Sequence, residues 1–244
     1  MIKINRPKNI INFYGIKFYN FEYNDIMKKL KPNGYLVAPA AYPLSKIKEY
    51  NIYYKALKKS KVAIFDSGYF CLLIKFFCLF NVKKLSGFLF LRKFLNDKNN
   101  QKKKILLVNP TDEDGILNKK LLIKKGFRKI FLYTSPFYMP NQKITDKKFI
   151  KYINKTKPNF ILLNIAGFKQ ELLAEYIERK IKFNVTTFCL GAAIAFMTKK
   201  QAPINYFIDK FYLGWFARLL FRPKEHFKRT VESFTLIKLF INNS

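Results

Sequence analysis

The chain has 244 residues, half of them hydrophobic and 18% aromatic, which excludes a disordered protein and favours a compact domain. Its formal net charge is +32, from 47 basic and 15 acidic residues, and this favours anionic partners such as nucleic acid, acidic membrane or diphosphate. Lysine, asparagine, isoleucine, phenylalanine and tyrosine are abundant together, as in proteins of AT-rich genomes, so compositional drift is an alternative explanation. Charge alone therefore names no partner.

The sequence does not indicate a metal site, a redox site or a membrane-spanning segment. The three cysteines (Cys71, Cys78 and Cys189) lack metal-ligand spacing, and His226 is the single histidine, so we predict no metal and no cofactor. The N-terminus lacks the apolar core of a signal peptide. The most hydrophobic run, residues 69–80, is interrupted by Lys75 and would extend about 18 Å as a helix against about 30 Å of membrane hydrocarbon. We predict a core helix there, not a membrane span.

Strands and helices alternate in the first half of the chain. A hairpin is expected at residues 10–23, with its turn at Tyr14 and Gly15. It is followed by a helix at 25–30, a strand at 36–37, a helix at 44–59, a strand at 62–65 and the helix at 69–80. The polar stretch 96–104 is predicted to be a loop between the two halves.

The second half continues the alternation. Strands are predicted at 105–108, 130–133, 160–165 and 185–190, with helices at 113–125, 146–155 and 170–179. This pattern predicts an α/β fold with a Rossmann-like, mostly parallel sheet and flanking helices. No strand is predicted at residues 204–240, where aromatic residues recur at helical spacing. We therefore predict a body at residues 1–195 and a C-terminal helical appendage at 196–244.

Polar residues gather where two of the predicted strands end. Asp66 directly follows an apolar strand, and in α/β sheets ligands bind at the carboxyl ends of strands. An acid there can act as general base toward a hydroxyl group, or it can cap the next helix. The strand at 160–165 likewise ends in a small-residue turn before a helix, so both loops are candidates for one site.

The run from Pro158 to Glu171 resembles the signature P-D-hydrophobic-G-x-G-x-P-K-Q-E of the WecG/TagA/CpsF glycosyltransferases, glycosyltransferase family 26. The matching residues are Lys169, Gln170 and Glu171. The departures are Asn164, Ala166 and Phe168, which stand in place of Gly, Gly and Pro. The resemblance implies transfer of a sugar from a nucleotide donor to a sugar on a polyprenyl diphosphate.

The C-terminal part of the chain carries a second resemblance to the same family. Residues 201–203 and 213–223 are similar to the family's tail, R-A-P … L-E-W-L-Y-R-L-L-x-E-P-x-R. The resemblance implies that the tail covers the active site and helps to hold the enzyme at a membrane. Trp215, Arg218 and Arg222 are therefore expected to meet membrane or lipid diphosphate. Packing of the tail onto the body is the alternative.

The resemblance also implies the roles of individual residues. It places the catalytic aspartate at Asp66. The substrate-binding positions are Pro39, Ser67, Gly68, Lys84, Gly167, Lys169, Gln170, Glu171 and Gly191. Ala38, Ala40, Leu89 and Ala195 replace polar residues of the family. Asp112 and Asp114 form a D-x-D pattern, for which a helix start capped by Thr111 is the preferred interpretation over a metal site.

The resemblance leads to a specific functional expectation. It implies inverting, metal-independent transfer of an N-acetylmannosamine-like hexosamine from a UDP-sugar to a polyprenyl-diphosphate-linked sugar, for a surface polysaccharide. The expected location is cytoplasmic, peripheral on the inner face of a bacterial membrane with an anionic surface, and a homo-oligomer is possible. One alternative is an inactive, degenerate relative. The other is a basic nucleic-acid-binding protein, although no nucleic-acid motif is present and we predict no nucleic-acid partner.

Overall fold

Nine strands form one sheet in the computed structural model, which describes residues 2–5, 9–30, 33–200 and 223–241. In chain order the strands are β1 Ile2–Asn5, β2 Ile10–Phe13, β3 Ile16–Tyr19, β4 Gly34–Val37, β5 Val62–Ala63, β6 Ile105–Asn109, β7 Ile130–Thr134, β8 Phe160–Leu163 and β9 Thr186–Cys189. Across the sheet their order is β1-β2-β3-β5-β4-β9-β8-β6-β7. The first three strands are antiparallel and the others pair in parallel, so the predicted α/β class is confirmed.

Helices cover both faces of this sheet. In chain order they are α1 Tyr23–Leu30, α2 Ala41–Ser45, α3 Asn51–Lys59, α4 Gly68–Cys78, α5 Gly87–Asn96, α6 Lys98–Gln101, α7 Asp112–Lys124, α8 Lys147–Thr156, α9 Lys169–Lys180, α10 Ala193–Met197, α11 Pro223–Ser233 and α12 Lys238–Ile241. A 3₁₀ helix at Phe234–Ile237 joins the last two.

Alternation along the strands divides the core into two layers. Tyr35 and Val37 of β4 face one layer with α3, α4, α8 and α9, whereas Leu36 faces the other with α1, α5 and α7. The C-terminal helices belong to the first layer, because Leu236, Leu239 and Phe240 are buried in it.

Several boundaries differ from the sequence predictions. The expected helix at 44–59 is two helices, since α2 ends at Ser45 and packs against α11 and the 3₁₀ helix. The expected loop at 96–104 contains α6, which Asp97 caps by accepting a hydrogen bond from the backbone N–H of Asn99 (3.0 Å). Helix α5 was not predicted, and the second strand of the hairpin ends at Tyr19 rather than at residue 23.

Candidate active site

The sheet order brings four of the predicted loops side by side. Strands β5, β4, β9 and β8 are consecutive neighbours, and all four are parallel. Their carboxyl ends lead to Asp66, Pro39, Gly191 and Gly167, respectively. Because parallel strands end at one edge, these loops lie together at the edge of the sheet where α/β proteins bind ligands.

Asp66 is half-buried and joins two helices at this edge. Its Oδ1 accepts a hydrogen bond of 2.7 Å from the backbone N–H of Gly87, the first residue of α5. Ser67 caps α4 instead, since its hydroxyl oxygen accepts from the N–H of Phe70 at 3.2 Å. Ser67 rather than Asp66 therefore caps α4, while Asp66 binds the first backbone N–H of α5. Gly68 follows as the first residue of α4.

Gly87 allows the start of α5 to lie close to the ends of β9 and β4. A Cβ atom at this position would lie 2.9 Å from the carbonyl oxygen of Leu190 and 3.5 Å from the Cβ of Ala38. Only glycine fits without displacing the ends of β9 and β4. Ala38 fills the position at which the resembled family has a hydrogen-bonding side chain, and it is buried. Pro39 beside it is buried as well, and Lys84 lies half-buried in the stretch before α5.

The turn before α9 has an unusual backbone. Ala166 has a φ of 71° and Phe168 a φ of 67°, both in the left-handed region. A proline, as in the resembled signature, is fixed near −65° and could not take this conformation. The ring of Phe168 packs against Tyr42, Tyr50 and Tyr53, with centroids 4.8–5.7 Å apart. This aromatic packing holds the turn, and it is a contact that the sequence pattern did not reveal.

Gln170 connects the start of α9 to the loop after β9. It is buried, its Oε1 accepts from the N–H of Gly191 at 3.1 Å, and its Nε2 donates to Oε1 of Glu171 at 2.8 Å. Gly191 has a φ of 62°, which suits glycine. In this arrangement Gln170 positions the loop after β9.

Glu171 is a buried carboxyl group, 1% exposed, at the start of α9. Burial raises its pKa to about 7, although Gln170 and the backbone N–H groups of Glu171 and Phe168 favour the charged form. Among the described residues its Oε2 has no hydrogen-bond partner. The carboxyl group therefore binds a proton near neutral pH, which ties the stability of this region to pH.

We expect Glu171→Gln to remove a pH dependence of stability. The folded pKa lies above the unfolded value of 4.5, so the folded protein holds the extra proton, and stability falls as pH rises from about 4.5 to 7. The cost above pH 7 is about 3 kcal/mol. Glutamine keeps the acceptor for Gln170 and carries no charge. Urea unfolding at pH 5 and pH 8 should show a variant that is more stable than wild type at pH 8 alone. An equal difference at both pH values would contradict the assignment.

Lys169 contributes a cation to the same edge. Its Nζ lies 3.7 Å from the ring centroid of Phe137, an attractive cation–π contact. Burial and the positive charge of Arg229 on α11 lower the pKa of Lys169. Two cations from different parts of the chain thus face one region, and an anion bound there would relieve their repulsion. The sequence did not assign Arg229 to this site, because its position there depends on the packing of α11.

Asp112 and Asp114, the acidic pair after β6, both contact other side chains of the protein. Thr111 caps α7 as predicted, accepting from the N–H of Asp114 at 3.2 Å. Asp112 accepts a hydrogen bond from the hydroxyl of Thr134, and Asp114 pairs with Lys200 at 2.6 Å. In the described part of the chain no three His, Cys, Asp or Glu side chains cluster as metal ligands. Trp215, Arg218 and Arg222 lie outside the described residues.

Residues 11–243, nearly the whole chain, match the model of the glycosyl transferase WecG/TagA/CpsF family. The chain therefore belongs to this family of glycosyltransferases. A comparison with curated proteins gave no match. Across the residues described, no helix is both long and apolar enough to cross a membrane.

Proposed function

We propose that the protein transfers a hexosamine-type sugar, similar to N-acetylmannosamine, from a UDP-sugar to a sugar on polyprenyl diphosphate. The observation that carries the proposal is the position of Asp66, half-buried at the carboxyl end of β5 beside the loops that follow β4, β9 and β8. Family membership supports the reaction class. The product would be an intermediate of a surface polysaccharide, made at the inner face of the cytoplasmic membrane.

In the proposed reaction Asp66 accepts the proton of the acceptor hydroxyl group as its oxygen attacks the anomeric carbon of the donor. The bond between that carbon and the diphosphate breaks with inversion, and the charge that develops passes to the departing UDP. Lys169 and Arg229 are candidate cations for neutralising the diphosphate, because Lys169 begins the helix after β8 and the charge of Arg229 acts on it. Lys84 and the undescribed Arg218 remain further candidates.

Gln170 and Glu171 support this site as buried side chains. Gln170 holds the N–H of Gly191, and Glu171 holds the side chain of Gln170. Both side chains are buried, so they fix the loops that bind substrate. Gly167, Gly191, Ser67 and Gly68 lie in those loops and would contact substrate mainly through their backbones.

Product formation tests the proposal directly. The full chain would be incubated with a panel of UDP-hexosamines and a short-chain, water-soluble polyprenyl-diphosphate-linked sugar. Mass spectrometry should show a lipid product heavier by one sugar, together with released UDP. Failure with every donor would support the alternative of a degenerate family member, for which the alanines at 38, 40 and 195 give a physical reason. Salt-dependent binding to DNA or RNA would favour the nucleic-acid alternative.

Transfer should continue when divalent cations are removed. Asp112 and Asp114 bind Thr134 and Lys200, so a metal would have to displace an existing hydrogen bond and ion pair. The transfer rate in EDTA should equal the rate without it, and Asp112→Asn should have the same transfer rate as wild type. A rate that EDTA abolishes and Mg²⁺ or Mn²⁺ restores would show that the D-x-D pattern holds a metal.

A further inference from the structure

Three asparagine side chains form a hydrogen-bonded cluster at the carboxyl edge of the sheet. Asn109 is the last residue of β6, and Asn164 directly follows β8, the neighbouring strand. The Oδ1 atom of Asn109 accepts hydrogen bonds from Nδ2 of Asn118 on α7 (2.7 Å) and from Nδ2 of Asn164 (3.1 Å). Asn109 and Asn118 are buried, whereas Asn164 is half-buried. The cluster thus leads from the core to the surface.

Packing alone does not account for Asn109. Its Nδ2 is buried, and no described residue accepts a hydrogen bond from it. An unpaired buried donor destabilises a protein, and an apolar residue would continue the apolar run of β6 without this penalty. The contact that the asparagine gains in return is the one that holds Asn164.

Hydrogen bonds fix the orientation of the Asn164 amide. Its Nδ2 also lies 3.5 Å from the carbonyl oxygen of Leu162, so both of its protons have acceptors within the protein. Its backbone N–H donates to the carbonyl oxygen of Val108 at 2.9 Å. The Oδ1 of Asn164 accepts no hydrogen bond from the described residues and is open to solvent. A fixed hydrogen-bond acceptor is therefore present at the end of β8.

Asn164 lies three strands away from Asp66. Strands β5, β4, β9 and β8 are side by side, so the ends of β5 and β8 are about 14 Å apart at the usual strand spacing. Lys169, a candidate cation for the diphosphate, begins α9 shortly after Asn164. In the proposed reaction the anomeric carbon lies near Asp66, and the diphosphate joins that carbon to the nucleoside. Asn164 is accordingly placed for the nucleoside rather than for the reacting carbon.

An exposed aromatic ring lies at the same end of the sheet. Phe137, on the loop after β7, is 77% exposed, and its ring centroid is 3.7 Å from Nζ of Lys169. The next residue, Tyr138, anchors this loop by donating a hydrogen bond of 2.7 Å to Asp146. A ring beside a candidate phosphate-binding cation offers a surface on which a base can stack. This favours the nucleobase as the part of the nucleoside that meets Asn164.

We propose that Asn164 determines the base specificity of the nucleotide donor by accepting a hydrogen bond from the N3–H group of uracil. Cytosine has an unprotonated N3, whose lone pair would face the Oδ1 of Asn164. A site built around one hydrogen bond rejects an analogue that cannot form it. The proposal rests on the proposed function, which supplies the uridine nucleotide. Asn109 and Asn118 are positioning residues, because they hold the acceptor without contacting the base.

Titration calorimetry with free nucleotides tests the proposal on the full chain. The wild type should bind UDP about tenfold more tightly than CDP and than UDP methylated at N3, because only UDP donates a hydrogen bond at that position. Asn164→Gly removes the acceptor, so it should weaken the binding of UDP about tenfold. The variant should then bind the three nucleotides with similar affinities.

Two controls accompany this variant. Inorganic pyrophosphate has no base, so Asn164→Gly should bind it as tightly as wild type does, which also shows that the variant is folded. Asn96→Gly makes the same substitution at the last residue of α5, where the side chain accepts a hydrogen bond from Lys125, and should leave all affinities unchanged. If Asn164→Gly loses pyrophosphate binding, Asn164→Ala gives the measurement, since alanine adds no backbone freedom.

Three results would overturn the assignment of Asn164. The first is a wild type without a preference for UDP over CDP. The second is a preference that Asn164→Gly retains in full. The third is an equal loss of affinity for UDP and CDP in that variant, because this would place the acceptor against the ribose instead of the base.

Product formation from UDP-hexosamines tests the proposed function separately, because nucleotide binding needs neither an acceptor nor turnover. Transfer from these donors together with an unchanged UDP preference in Asn164→Gly would keep the function and refute the role of Asn164. Selective binding of UDP through Asn164 without any product would refute the transfer reaction and keep the uridine site.

Discussion

We expect Asp66→Asn to lower turnover by about 10²–10⁴-fold, the usual contribution of a general base. Asparagine cannot take a proton from the acceptor hydroxyl, but its side-chain oxygen can still accept the 2.7 Å hydrogen bond from Gly87. The junction between α4 and α5 should therefore persist. Turnover would be measured with the soluble acceptor, and unfolding by urea on the same preparation.

A comparison with Asp66→Ala separates the chemical role from the positional one. Alanine removes the base and the hydrogen bond to Gly87 together. If Asp66 is the base, both variants should be inactive and only Asp66→Ala should lose stability. If Asp66 only positions α5, Asp66→Asn should keep turnover near wild type, which would remove Asp66 from the mechanism. Asp25→Asn on the exposed side of α1 makes the same change of charge and should leave both properties unchanged.

The sheet and most of its helices could be predicted because their signals are local. Buried parallel strands such as β6 and β8 consist of continuous apolar residues, and they stand out against the lysine-rich helices between them. The side chains of Thr111 and Asp146 each accept a hydrogen bond from the backbone N–H three residues later. The starts of α7 and α8 therefore follow from short sequence patterns.

Helix α5 was missed although its start is local, since the Ser86 hydroxyl accepts a hydrogen bond from the N–H of Leu89 at 3.1 Å. Other features depend on long-range packing, such as the close contact of Gly87 with Leu190, which no local pattern shows. The helix expected at 44–59 breaks because α2 accommodates the C-terminal helices. Local propensity is a weak guide at such places, since tertiary contacts override it.

The sequence predicted that the two loops belong to one site, but not the contacts that join them. Asp66 and the loop after β8 could be proposed from their positions at strand ends. Their proximity depends on β9 pairing with both β4 and β8, which joins the two halves of the chain. The link from Gln170 to Gly191 and the effect of Arg229 on Lys169 follow from that pairing and from the packing of α11. Short sequence motifs reveal neither of these two interactions.

We expect Phe240→Ala to destabilise the protein by about 3–5 kcal/mol, as for other fully buried phenylalanines. Phe240 is 2% exposed, and its ring lies 5.3 Å from those of Phe13 on β2 and Phe77 on α4. Tyr14 also binds this end of the chain, donating a hydrogen bond of 2.9 Å to the carbonyl oxygen of Leu239. The end of the predicted appendage is thus part of the core, and truncating it should destabilise the body.

Urea unfolding of Phe240→Ala and of its neighbour Ile241→Ala provides the measurement. Ile241 is 54% exposed, so its truncation should change stability by less than about 0.5 kcal/mol. A loss below about 1 kcal/mol for Phe240→Ala would show that α12 is not integrated into the core. If the expected loss is found, deleting the C-terminal helices cannot report on membrane binding, because the body would unfold as well. Point variants of exposed residues would then test membrane binding without unfolding the body.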